Sequence, residues 1–432
     1  MKTQTQSSSP TTKQSLFLTF VLSAILFWIG LGAGDNMSDF HFWIHSTWTA
    51  ITLEWLFILV YIFVNRRVPP LSKLWKEHKF VTLISILWLF TVLLSYFTAP
   101  HYSWQNPLAY MRLAETITHF LFFLFLWDFF SHYTVNYRMI FSSIIFSTLV
   151  VMAYFGYIHF AFPDLEAEKH VFSMRSEILV LNTHLHRIGY QVEATIAFAT
   201  AFLFIRKQNF LAFFLVGVLF IFLLWLGGRA AILGSIVTLL VCFFWFRKSI
   251  SSKMLIVFGI SIILLLSTAV YFHLLNLDYF IHAMQKTFQA GSLSHLLTGR
   301  IEVWSLVLHE LHDHWLLGTG PQSYFFYLNR INEVIHAHNF LLQMLGEWGI
   351  AGTALFNVLI YKAFRYGTKL HLQKSNYGEP YQFAAGLVIL SLTITGLFGG
   401  IYFFTQTSVY LAVAFALWIT PRSLPYSHKV HS

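Results

Sequence analysis

Two residue types in this chain stand at loop–membrane boundaries with chemistry to offer: a histidine that could take a proton and arginines that could hold an anion. His338 closes a polar loop, and an apolar helix is expected to begin at Phe340 and run on without interruption. An imidazole at such a point touches water while lying beside lipid, and its titration near neutral pH suits a general base. Arg229 follows Gly227-Gly228 with almost no loop around it, so a tight turn would hold its guanidinium at the membrane surface. Arg300 sits in Thr298-Gly299-Arg300-Ile301-Glu302-Val303-Trp304, at an expected helix start. A guanidinium forks two hydrogen bonds onto phosphate oxygens and keeps its charge at any relevant pH. Two of them converging outside a membrane would suit a lipid diphosphate. Taken singly, each reads equally well as an interfacial cation or half of a structural ion pair.

Other candidates carry less. The chain has 21 histidines, so His336, His184, His186 and the group His309, His312 and His314 are expected to be surface or packing residues. No carboxylate or cysteine stands at a familiar metal-ligand spacing beside them. Four acids, Glu54, Glu115, Glu193 and Glu347, are expected at membrane depth, where a carboxylate is costly and a functional candidate by default. Arg112 and Glu115 are three residues apart on one helix face and can neutralise each other. A proton-coupled transporter would need acids of this kind.

What must position these side chains is set by composition. The chain is 57% hydrophobic and 10% charged, with mean hydropathy +0.63, which excludes an ordinary soluble domain. Apolar runs without period-2 alternation recur, each long enough to cross hydrocarbon about 30 Å thick, so the expected fold is an all-α polytopic membrane protein. Spans are expected at 15–33, 44–64, 80–98, 107–130, 139–161, 188–205, 210–226, 230–246, 254–275, 339–361, 382–398 and 401–420. The first could pass for a signal peptide, but its length favours a retained helix. The expected organisation is a cytoplasmic N-terminus at 1–14, nine helices within 15–275, a large, partly helical periplasmic loop at 276–338, three helices within 339–420 and a cytoplasmic tail at 421–432. Of the 27 Lys and Arg, nineteen fall on the side of the termini and eight on the other, which places the termini in the cytoplasm. The net charge of +9 is thereby mostly a topology signal, and no nucleic acid need be invoked. Within the large loop, Val303, Leu306, Val307 and Leu311 recur at helical spacing.

On these residues the chain resembles the O-antigen ligase family, the lipid A-core ligases of Gram-negative inner membranes. The resemblance covers essentially the whole chain in length, span number and the large loop before a late helix. Its most specific element is a His-Asn pair, nine residues, then Gly-x-x-Gly, read here as His338-Asn339, Phe340 to Trp348, and Gly349-Ile350-Ala351-Gly352. Arg229 and Arg300 occupy the places of the family's two periplasmic arginines, one in a very short loop and one in the large loop.

The resemblance implies metal-independent and cofactor-free glycosyl transfer on the periplasmic face. The donor would be O-antigen polysaccharide on undecaprenyl diphosphate, the acceptor a sugar hydroxyl of lipid A-core, with membrane lipids around both. His338 would take the acceptor proton and Arg229 and Arg300 would neutralise the diphosphate, with inversion at the anomeric carbon. Asn339, Gly349, Gly352 and Arg187 would support them. O-antigen polymerases are similar in topology but carry Arg-x10-Gly motifs; the corresponding positions after Arg175, Arg229 and Arg300 hold His186, Leu240 and Leu311. A polymerase or another glycan ligase of the superfamily remains the alternative, followed by the transporter.

Overall fold

A computed structural model of the chain describes residues 12–32, 40–66, 68–69, 79–100, 107–161, 185–205, 210–246, 259, 285, 300–323, 336–372 and 380–420. All regular structure among them is helical: α1 (Thr12–Leu31), α2 (Phe40–Asn65), α3 (Lys79–Thr98), α4 (Pro107–His132), α5 (Tyr137–Ala161), α6 (Leu185–Ile205), α7 (Phe210–Leu226), α8 (Arg229–Phe246), α9 (Arg300–Asp313), α10 (Phe340–Leu372), α11 (Pro380–Gly396) and α12 (Thr405–Trp418). A single 3-10 turn, Ile401–Phe403, joins the last two. Among the described residues six helices are long and apolar enough to cross a membrane, and α7, α8 and α11 contain shorter apolar stretches. Helices are the expected solution, because backbone groups in hydrocarbon must bond within their own segment. The expected span at 254–275 and most of the loop at 276–338 lie outside the described residues.

The centre of the bundle is α6, where every residue from Ile188 to Thr200 is buried. It packs against α7, α8 and α11, and α11 in turn against α8 and α12. On the rim, α3 turns Phe80, Ile86, Phe90 and Phe97 outward, as a lipid-facing helix does, and packs its other side on α10. The loop helix α9 has a different pattern. Val303, Val307 and Leu311 recur every four residues on a buried face, while Leu308 and His309 face outward, so the expected periodicity in this loop is realised.

One expectation is corrected. The helix that starts at Phe340 is broken at Gly349, whose φ of 62° and ψ of −169° are non-helical. The chain between α9 and residue 323 fills the break. Thr319 and Gly320 donate to the carbonyls of Gly346 and Glu347 at 2.8 and 3.2 Å, and Ile350 and Ala351 donate to those of Trp315 and Leu316 at 2.9 and 3.1 Å. Four backbone groups freed by the break are thereby satisfied from outside the helix, which is what makes a break tolerable at membrane depth. The break leaves no room for a side chain at the motif glycine: a Cβ on Gly349 would stand 2.5 Å from the nitrogen of Gly318.

Candidate functional site

Three helix starts converge at one end of the bundle. Helix α8 begins at Arg229, immediately after the two-residue turn Gly227-Gly228. That turn is closed by Gly227 N–H to Leu224 O at 3.1 Å, and the first bond of α8 runs from Ile232 N–H to Gly228 O at 2.9 Å. Helix α9 begins at Arg300, so both candidate arginines are first residues of helices, half-buried and on the positive ends of the helix dipoles. Helix α10 begins at Phe340, capped by Asn339, whose Oδ1 accepts the Leu342 N–H at 3.0 Å.

These starts are tied together by side chains. Trp304, one turn along α9 from Arg300 and on the same face, donates its indole N–H to Ala337 O at 2.9 Å. The amide of Asn339 donates to Leu397 O at 3.0 Å, joining the His-Ala-His-Asn turn to the end of α11. Thr395 of α11 donates to Ala230 O at 3.0 Å and to the buried carboxylate of Glu193 at 2.7 Å, which fixes the start of α8 against α6 and α11. Burial, and secondarily the positive charge of Arg229, pulls the Arg300 guanidinium below its ordinary value, while Tyr190 acts in the opposite direction. Arg229, Arg300 and Tyr190 are therefore neighbours within electrostatic reach. A multiply charged anion between the two guanidiniums would relieve both their burial and their repulsion.

The histidine pair lies beside the start of α9, through the bond from Trp304 to Ala337. His336 is buried and His338 half-buried, with ring centroids 3.9 Å apart. His338 has φ of 52°, a left-handed backbone, and its N–H donates to His336 Nδ1 at 3.1 Å. His336, expected to be a surface or packing residue, is packed: its ring lies against Gly400, where a Cβ would stand 2.6 Å from Cε1, and it also accepts the His338 N–H. Tyr190, which nothing in the spacing of the sequence singles out, reaches the same place from α6. Its hydroxyl lies against Gly399 and the Gly400 amide, with Phe404 packing between it and His336. The Gly399-Gly400 doublet between two apolar runs was the available signal.

His338, Asn339, Arg229 and Arg300 are thus brought to one end of the bundle. Gly349 and Gly352 lie further along α10, ten and thirteen residues beyond Asn339, about 15 and 20 Å at 1.5 Å per residue. Gly352 makes room for Trp348 and for Thr91 of α3. Arg187 stands in the first turn of α6, with its side chain outside the described residues, as are His184 and the side chain of His186. His309 and His312 are exposed, as expected of surface residues, and the described residues hold no cluster of metal-ligating side chains.

The four membrane-depth acids are not isolated. Arg112 pairs with Glu115 at 2.5 Å and approaches Glu347 at 3.8 Å. His119 stands between Glu54 at 2.7 Å and Glu115 at 3.4 Å. Glu193 accepts from Ser391 and Thr395. Arg112 also donates to the carbonyl of Tyr402 at 2.5 Å and lies 4.1 Å from the centre of its ring, so the network buttresses the 3-10 turn next to Gly400.

Fold and site together define a helical membrane protein in which two arginines at helix starts and a histidine pair lie at one end of the bundle. Residues 212–357 match the model of a family described as O-antigen ligase. The matched segment contains Arg229, Arg300, His336, His338, Asn339, Gly349 and Gly352, and supports O-antigen ligase or polymerase-type glycosyl transfer from a lipid-linked polysaccharide. No curated protein matches the chain.

Proposed function

We propose that the protein joins O-antigen polysaccharide, carried on undecaprenyl diphosphate, to a sugar hydroxyl of lipid A-core at the periplasmic face of a Gram-negative inner membrane. The observation that carries this reading is the meeting of Arg229 and Arg300, each the first residue of its helix, beside the turn that holds His338.

In this scheme the acceptor oxygen attacks the anomeric carbon of the first polymer sugar and its proton passes to the imidazole of His338. The bond from that carbon to the diphosphate oxygen breaks, and its electron pair leaves as added negative charge on the lipid diphosphate. Arg229 and Arg300 meet that charge with forked hydrogen bonds, strongest when the charge is largest. Attack opposite the leaving group inverts the anomeric carbon. The donor is already activated, so one base and two cations supply what the step needs.

The test is loss of the protein in its own host. Ligase loss leaves lipid A-core uncapped while lipid-linked polymer of normal length accumulates. Core bearing a single repeat would instead identify a polymerase and overturn the acceptor assignment.

A further inference from the structure

We propose that Tyr190 is a third donor to the phosphate-bearing ligand of Arg229 and Arg300, giving its hydroxyl proton to a phosphate oxygen. The inference rests on the reading of the site given above and adds a residue to it. Tyr190 stands near the start of α6, and Phe404 holds its ring at a centroid distance of 5.7 Å. The hydroxyl is packed on the Gly399-Gly400 turn so closely that a Cβ at Gly399 would stand 3.1 Å from Cζ and closer still to the oxygen. The Gly400 amide lies against the hydroxyl oxygen. With the oxygen accepting from that amide, the O–H is left to donate, and no acceptor for it occurs among the described residues. Glu193, one turn along the same helix, has one carboxylate oxygen engaged by Ser391 and Thr395. Tyr190 is 6% exposed, so the group is set in place and shielded. A buried phenol whose donor meets no acceptor among the described residues, in electrostatic reach of Arg300, matches what a phosphate oxygen requires.

Two cations alone would hold any anion. A neutral donor fixed by a ring and a glycine turn adds direction, because a hydroxyl hydrogen bond is lost when the oxygen is displaced, whereas a Coulomb attraction changes slowly with distance. Tyr190 thereby orients one phosphate relative to the histidine turn, since the Gly400 it rests on also carries His336.

The experiment measures binding of undecaprenyl diphosphate, and separately of inorganic diphosphate, to the full chain in detergent for wild type, Tyr190→Phe, Arg229→Ala and Arg300→Ala. Phenylalanine keeps the ring packing, so the melting temperature should stay at the wild-type value. Tyr190→Phe should weaken the lipid diphosphate by about 10-fold, the loss of one hydrogen bond to a charged group, and raise the donor KM with less change in kcat. Binding of the lipid but not of inorganic diphosphate would place the source in the bilayer; equal weakening of both would assign the shared phosphate chemistry alone. Wild-type binding by Tyr190→Phe, with the arginine variants impaired, overturns the role of Tyr190 and leaves the site reading standing. Impaired binding in Tyr190→Phe, with both arginine variants like wild type, keeps the hydroxyl as donor and removes the arginine clamp.

Discussion

His336 and His338 are bonded to each other: the backbone N–H of His338 donates to Nδ1 of His336 at 3.1 Å, with the rings 3.9 Å apart. The bond fixes the imidazole of His336 with that nitrogen as acceptor, and it steadies the left-handed backbone of His338, whose φ is 52°. Such a conformation is uncommon for a residue other than glycine and persists where its surroundings hold it. Here they comprise His336 above, Trp304 on the intervening carbonyl and the Asn339 cap below.

Replacing the two histidines should therefore separate a base from its support. His338→Ala should be inserted and still bind lipid diphosphate, with ligation lost by a factor of about 1,000 or more, within the range general-base catalysis supplies. His336→Ala should retain activity reduced by about 10-fold, through loss of the tie rather than of the base. Wild-type ligation should also fall at acid pH, because a protonated imidazole can no longer accept a proton. The check is initial rate against pH with purified protein. A dead His336→Ala beside an active His338→Ala moves the base by two residues.

The arginines should tolerate neither truncation nor a point charge. Arg229→Ala and Arg300→Ala should each reduce ligation by about 100-fold, the typical cost of removing one donor that meets developing charge. Lysine at either position should remain well below wild type, because an ammonium cannot reproduce the fork. Rates of lipid-linked donor consumption in the four variants decide this; full activity with lysine at both positions would reduce the pair to bulk charge.

Much of this arrangement is legible in the sequence because it lies at helix starts. Gly227-Gly228 before Arg229, the Thr-Gly before Arg300 and the Asn before Phe340 are local signals, and each helix begins where they place it. The buried spacing of Val303, Val307 and Leu311 was visible in the same way. What the sequence does not reveal is long-range backbone exchange. The break at Gly349 depends on residues 315–320 lending hydrogen bonds to a helix that reads as continuously apolar. Tyr190 meets His336 through Gly400 and Phe404, more than 200 residues away from the tyrosine, so no periodicity reports it.

The break makes a sharp statement about Gly349. A side chain there would combine a backbone region that is essentially glycine-only with collision against the loop backbone, so Gly349→Ala should cost at least about 3 kcal/mol. Gly156, with open space around its Cα, should accept alanine with no loss of stability. Thermal melts of the two variants in detergent test the contrast, and an unchanged Gly349→Ala would show that the loop does not fill the break.

The buried acids allow the transporter alternative to be tested against the structure. Glu54, Glu115 and Glu347 share Arg112 and His119 in one chain of contacts that joins α2, α4 and α10. A paired carboxylate in such a network holds helices in register and need not move charge. Removing a partner is what should hurt: Arg112→Ala takes the guanidinium from Glu347 and leaves Glu115 with His119 alone, and loss of a partner from a buried pair costs about 3–5 kcal/mol. Glu54→Gln should instead keep ligation near the wild-type rate, with the amide still able to bond His119. Both should be assayed in detergent, where no gradient can exist, and with chelator present. Ligation there by wild type and by Glu54→Gln makes the network structural. Silence in detergent, with function regained only in sealed vesicles under an imposed proton gradient and abolished by Glu54→Gln, would make the same residues a proton path.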